Sequence, residues 1–276
     1  MIICPPPSLE EASWEQIKAI SNAELASSVF KVGDMKKIVL NGMVGTVQFS
    51  NFETYVYIIG IDHNKEIEGT GITFGCFKSK DRKDIALVDI KYDYYLTNSG
   101  VYFNMNHSSN TNVGGWNGCE LRFDVLGSTN TKDGDATATT VTSPVANTLM
   151  AAFPSDLRAV MKPMTIYTDN TGGGSNDSSH VTKTIDYLPL LSEYEIFGKH
   201  SEANSAEKNY QMQYAYYSAG NSKVKYHHSA TDSIAWWWER SPYYGYNNSF
   251  CRVNAGGFAN NFNAKYSGGI APIFRV

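Results

Sequence analysis

Apolar and polar positions along this chain change their period several times. Trp14, Ile17 and Ile20 recur at three-residue steps behind Ser8-Leu-Glu-Glu11, which has capping-box spacing, so residues 9–22 are predicted to form an amphipathic helix. Its apolar stripe needs a partner, either the rest of the chain or another subunit or assembly. From Val32 the pattern becomes that of strands over residues 37–40, 42–49 and 55–61, with Asn41-Gly42 predicting a tight hairpin turn. Residues 71–77 and 85–90 read as further strands. Short helices follow at 118–126, 147–153 and 155–161. Ser192-Glu-Tyr-Glu195 with Gly198 behind it predicts one short helix, and residues 206–218 a longer one. The chain closes with three short runs rich in aromatic and β-branched residues, 236–238, 250–253 and 270–276, which read as strands.

Strands first, short helices in the middle and strands last predict an α+β domain whose two ends meet in one antiparallel sheet. Two stretches rich in Gly, Ser, Thr and Asn, 127–142 and 169–180, read as surface loops within that domain. The expected organisation is an N-terminal arm over 1–31 and a main domain over 32–276. Gly172-Gly-Gly-Ser lacks the spacing and the lysine of a phosphate loop, so a nucleotide-binding fold is not expected.

Composition narrows the partners. A net charge of −4 over 276 residues, with 18% charged and no basic stripe, argues against a nucleic-acid partner. No apolar run is long enough for membrane insertion. The opening Met-Ile-Ile-Cys-Pro-Pro-Pro has no signal-peptide pattern, so synthesis in the cytoplasm is expected, with release by another route such as lysis. Cys4, Cys76, Cys119 and Cys251 are widely spaced and read as buried or half-buried free thiols. The only adjacent histidines, His227 and His228, read as surface residues. Asp133, Asp135 and Asp177 lie in loops without a complete calcium-loop spacing, and no metal or other cofactor is expected.

The last forty residues hold the densest chemistry. Between the three apolar runs lie Tyr243, Tyr244, Tyr246, Asn247, Asn248, Asn254, Phe258, Asn260, Asn261 and Asn263. Flat amphipathic rings mixed with side chains that both donate and accept suit a recognition surface. The same residues also suit turns and rings laid over a small β core.

Gly114-Gly-Trp-Asn-Gly-Cys-Glu-Leu-Arg122, Asp156-Leu-Arg-Ala-Val-Met-Lys162, Tyr187-Leu-Pro-Leu-Leu-Ser-Glu-Tyr-Glu-Ile-Phe-Gly198, Trp237-Trp-Glu-Arg-Ser-Pro242 and the ending Gly269-Ile-Ala-Pro-Ile-Phe-Arg-Val276 resemble the DUF6273 family of bacterial and phage proteins. The ending also resembles the variable region of proteins diversified by retroelements, which have a C-type-lectin-like fold of the formylglycine-generating-enzyme type. That resemblance implies antiparallel sheets with short helices and long loops, and a variable region over 237–276. It makes Trp237, Trp238, Arg240, Pro242 and Pro272 scaffold, and Tyr243, Tyr244, Tyr246, Asn247, Asn248, Asn254, Phe258, Asn260 and Asn261 the ligand-binding display. The calcium-ligand motifs of lectins are missing, and Cys119 and Cys251 do not match the cysteine pair of the catalytic members.

The expected function is therefore a non-enzymatic protein that binds a protein or glycan on a cell surface. It belongs on a phage or prophage tail, or in the host cytoplasm before release, with the N-terminal arm docking a virion partner. The alternatives are an invariant structural virion protein and a cysteine oxidase of the formylglycine-generating type.

Overall fold

The computed structural model describes residues 8–276. Pro5 to Pro7 and Cys4, assigned above to the docking arm and to the free thiols, lie outside the described residues. The first helix is shorter than expected and runs Trp14–Asn22. Ser8 and Glu11 do bond reciprocally, with Ser8 Oγ 2.7 Å from Glu11 Oε2, but they close only a turn. A second box five residues on, between Ser13 and Gln16, opens the helix instead. The apolar stripe is covered by the chain's own core. Trp14 packs edge-on to Phe74 and Phe274 with ring centroids 5.6 and 6.1 Å apart, and Ser21 Oγ donates to the Val276 carbonyl at 2.8 Å.

Among the described residues the strands are β1 (Met35–Val44), β2 (Val47–Ile61), β3 (Ile72–Lys78), β4 (Ile85–Ala86), β5 (Met164–Asp169), β6 (Val181–Asp186), β7 (Lys225–His227), β8 (Ala230–Ala235), β9 (Trp237–Pro242), β10 (Ser249–Val253), β11 (Ala259–Asn263) and β12 (Ile273–Arg275). The sheets run β1-β2-β3-β12, β11-β10-β9, β4-β7-β8 and β5-β6, all antiparallel except the β4–β7 pair. With short helices between them, the architecture is α+β. β12 pairs antiparallel with β3, Phe274 opposite Phe74, so the two ends of the chain share one sheet as the pattern predicts.

Several expected elements shift for identifiable reasons. The first hairpin does not turn at Asn41-Gly42. β1 runs on to Val44, which pairs with Val47, so the reversal falls at Gly45-Thr46. Asn41 sits instead in a register break, where its Oδ1 accepts the Asn51 N–H at 2.8 Å, and Gly42 takes φ +116°. The long helix over 206–218 splits into a 3₁₀ turn, Ser205–Asn209, and a single helical turn, Ala215–Ser218. Between them Gln211 donates to the Tyr167 carbonyl (2.7 Å), Gln213 to the Ile196 carbonyl (2.9 Å) and the Tyr214 N–H to Glu195 O (3.0 Å), so tertiary bonds replace helical ones. The strand at 85–90 stops after Ala86, where Asp89 turns the chain by accepting the Lys91 and Phe103 N–H groups. The polar stretch 127–142 ends in a one-turn helix, Thr139–Thr142. The loop 169–180 closes the unforeseen hairpin β5–β6. By contrast the Ser192–Glu195 box forms, caps the helix Glu193–Phe197, and Gly198 ends it at φ +66°.

The sequence blocks singled out above converge inside this fold. Trp116 and Arg122, in the first block, both bond the buried Asp186, at 2.9 and 2.7 Å. The Lys162 N–H donates to the Arg275 carbonyl and the Ile273 N–H to the Pro189 carbonyl, both at 2.8 Å. Blocks far apart in sequence thus form one interior.

Candidate functional site

β9 carries the Trp-Trp-Glu-Arg-Ser-Pro block, and all six of its side chains are buried. Each indole finds an acceptor: Trp237 Nε1 donates to Lys223 O at 2.9 Å and Trp238 Nε1 to Phe103 O at 3.0 Å. Arg240 donates through both terminal nitrogens to Glu195 at 2.6 Å, and through Nε to Thr168 Oγ1 at 2.7 Å. Pro272, also buried, accepts the Cys76 N–H at 3.1 Å. Glu239 is the exception, since among the described residues neither of its oxygens has a partner. Burial, helped by Glu193, Glu207 and Glu202, pushes its carboxyl well above the usual range and so favours its protonated form.

Beyond Pro242 the chain enters the loop between β9 and β10, and its backbone is held from outside. Asn112, fully buried, donates its side-chain amide to the carbonyls of Tyr243, Tyr246 and Ser249 at 3.1, 2.8 and 2.7 Å. The Asn112 N–H bonds Asn247 O at 2.8 Å, and the Tyr244 N–H bonds Glu202 O at 3.1 Å. Side chains of the loop face outward. Tyr244 and Tyr246 are 39% and 65% exposed, Asn247 is exposed, and Tyr243 lies half-buried with its ring centroid 5.4 and 5.5 Å from theirs. Asn248 is half-buried and accepts from Ser249 Oγ.

The remaining expected positions lie elsewhere. β9, β10 and β11 form a meander, so the loop at 243–248 and the loop at 254–258 sit at opposite ends of β10. At the second end Asn254 Oδ1 accepts the N–H groups of Gly256 (2.9 Å) and Phe258 (3.1 Å), a turn-forming role. The Phe258 ring is 69% exposed. Asn260 and Asn261 fall on β11 rather than on a loop, and strand alternation turns them to opposite faces. Asn260 bonds Arg252 Nε at 3.2 Å, and Asn261 reaches Glu202 at 2.7 Å. The nine positions therefore form two groups rather than one surface.

The second group borders a groove of about 540 Å³ lined by Asp93, Trp236, Arg252, Asn254, Phe258 and Phe262. Asp93, Trp236, Arg252 and Phe262 are not among the expected site residues. A lone arginine in the apolar run Phe250-Cys-Arg-Val253 was the available signal. A second groove of about 630 Å³ lies between Trp14, the outer edge of β1 and residues 151–156. Its Lys36 is spent on the carbonyls of Glu10 (3.1 Å) and Ala12 (2.6 Å), and its Arg158 on Val141 O (2.6 Å).

Cys76, Cys119 and Cys251 are buried and unpaired, and burial raises all three thiols, Cys119 to about 12. His227 and His228 are half-buried rather than on the surface. The His228 ring packs on Phe49 and Phe52, with centroids 5.3 and 5.6 Å apart, and its Nδ1 accepts the Val88 N–H at 3.1 Å. Burial lowers His63, His107 and His228 to about 4. Among the described residues no group of three or more His, Cys, Asp or Glu is placed to hold a metal ion, and no helix is long and apolar enough to cross a membrane.

The sequence profile of the family described as Domain of unknown function (DUF6273) matches residues 82–276. The chain belongs to the DUF6273 family. The match contains every sequence block described above and begins just before β4, so β1 to β3 and the first helix lie outside it, a narrower span than the chain beyond the arm. No curated protein and no solved structure matches the chain. Within the DUF6273 region the frame on β9, both groups of exposed rings and the Arg252 groove are all included.

Proposed function

We propose that this DUF6273 protein is a non-enzymatic ligand- or receptor-binding protein that displays exchangeable side chains on a C-type-lectin-like frame. In this reading it is a phage or prophage tail-associated target of a diversity-generating retroelement. Its partner is a protein or glycan on a cell surface, and the N-terminal arm over 1–31 docks a virion component. The observation that carries the reading is the loop after Pro242. Its backbone is bonded by Asn112, Glu202 and Ser249, which lie outside the exposed positions, while Tyr244 and Tyr246 stand in solvent. Substitutions at such side chains leave the backbone bonds intact and typically shift stability by less than about 0.5 kcal/mol. Affinity then comes from a few aromatic anchors.

An invariant structural role is favoured by a different observation. Asn254, Asn260 and Asn261 spend their side chains on bonds within the fold, so replacing them costs structure. Sequencing the last forty codons and their flanking DNA across a natural population separates the two readings. The display reading expects substitutions concentrated at template adenines and falling on Tyr244, Tyr246, Asn247 and Phe258. Fixed codons with no template repeat nearby leave the structural reading.

A further inference from the structure

Arg252 projects from β10 into the groove at the far end of the strand, and the surroundings of its guanidinium are unusual for a structural arginine. The Phe262 and Trp236 ring centroids lie 3.9 and 4.8 Å from its central carbon, so aromatic rings flank the group. Its Nε is spent on Asn260 at 3.2 Å. Among the described residues no acceptor meets either terminal nitrogen, and no carboxylate pairs with it. The three fully buried arginines are all engaged, Arg122 by Asp186, Arg240 by Glu195 and Arg275 by Glu68, whereas Arg252 is half-buried. Two parallel N–H groups held between apolar walls match the two oxygens of a carboxylate.

The walls define what carries that carboxylate. Phe258, 69% exposed, supplies an uncovered ring, and Trp236 and Phe262 continue the apolar surface. Asp93, which accepts the Trp236 indole N–H at 2.8 Å, brings a negative charge to the same groove. Arg252 and Asp93 together leave the groove near neutral, which disfavours a bare polyanion. They suit a single carboxylate with a hydrogen-bond donor one or two bonds away, and an apolar body beside both. A peptide carboxyl terminus has that chemistry: terminal carboxylate, adjoining amide N–H and apolar side chain. The volume of about 540 Å³ falls within the range of small-ligand sites, about 300–1,000 Å³.

We propose that the Arg252 groove binds the free carboxyl terminus of a peptide ending in an aromatic or aliphatic residue. The proposal rests on reading this end of the β9–β10–β11 sheet as a ligand site and adds the chemistry of its ligand. In the complex the terminal carboxylate lies on the Arg252 fork, the last amide N–H faces Asp93, and the terminal side chain packs against Phe258.

The test is an NMR titration of the full chain with N-acetyl-phenylalanine, its carboxamide and glucuronate, following the Trp236 indole and the amides of residues 254–258. N-acetyl-phenylalanine is expected to shift these signals saturably, with the carboxamide at least about tenfold weaker and glucuronate without effect. Phe258→Ala, at an exposed ring, weakens binding several-fold, and Arg252→Gln removes the preference for the free acid. Equal binding of acid and carboxamide, no saturable shift, or binding of glucuronate in place of N-acetyl-phenylalanine overturns the proposal. Diversified codons combined with no response here would sink the peptide site and leave the display reading; fixed codons with acid-selective binding would do the reverse.

Discussion

Arg240 and Glu195 meet fork to fork inside the protein, Nη1 to Oε2 and Nη2 to Oε1 both at 2.6 Å. Glu195 is also the residue that closes the capping box, its Oε2 accepting the Ser192 N–H at 3.0 Å. One carboxylate therefore starts the helix Glu193–Phe197 and anchors β9, joining two blocks that the family match contains. Removing one partner leaves an uncompensated buried charge. Arg240→Ala or Glu195→Ala should lower the urea-unfolding free energy by about 3–5 kcal/mol, and Arg240→Met with Glu195→Leu should restore most of the loss. A double variant no better than the single ones would mean that the pair itself, not the stranded charge, sets the cost.

Asn112 holds the Tyr243–Ser249 backbone through one amide group. Its replacement by Ala strands the Tyr243 and Tyr246 carbonyls, while the Ser249 carbonyl keeps the Tyr243 N–H at 3.0 Å, and should cost about 1–3 kcal/mol. Hydrogen exchange is expected to speed up at residues 243–249 while β2 and β3 stay protected. Unchanged exchange in the loop would show that other bonds suffice to hold it.

Glu239 has a raised folded pKa, so its contribution to stability is fully present below about 4.5, the ordinary value, and is lost as pH rises. Above that value folding favours uptake of a proton by the carboxyl. Glu239→Gln should therefore be more stable than the parent at pH 7, by an amount growing about 1.4 kcal/mol per pH unit above 4.5 while the carboxyl stays protonated. Thermal melts from pH 4.5 to 8 check this, and a gain independent of pH would contradict it.

His63, His107 and His228 run the other way. Their folded values near 4 lie below the ordinary 6.5, so the stability they supply is complete above about pH 6.5 and is withdrawn as pH falls towards 4. Each ring withdraws up to about 1.4 kcal/mol per pH unit in that window. Glu68, pushed up to about 8 by burial in spite of Arg275, opposes the trend. The clean readout is a difference: His63→Phe, which keeps a ring to stack on Tyr214, should make the acid slope shallower by about one proton. An unchanged slope would place a charged His63 in the fold.

What the sequence makes legible is what local chemistry decides. The Ser192–Glu195 box and Gly198 need only their neighbours, and the helix forms as read. The run at 236–238 reads as a strand, and β9 starts there at Trp237 but continues to Pro242 with all six residues buried, farther than its aromatic core marks. Asn41-Gly42 misleads because a bulge and a hairpin turn call for the same positive φ. The helix expected over 206–218 fails because Gln211 and Gln213 find carbonyls on other elements, which no local pattern reveals. The display divides in two because which end of a strand a loop occupies depends on pairing, and Asn260 and Asn261 become strand residues through that pairing. The Arg252 groove needs Asp93, Trp236 and Phe262 to meet across the fold, and Asn112 needs the loop it clamps.

The central claim is that a fixed frame carries side chains free to change, and a saturation substitution scan read by protease resistance tests it most directly. Tyr244, Tyr246, Asn247 and Phe258 are predicted to accept nearly every residue with the fold intact, while Trp237, Trp238, Arg240 and Asn112 accept almost none. If substitutions at Tyr244, Tyr246 and Phe258 unfold the protein as often as those at Trp238, the exposed rings are part of the structure and the display claim fails.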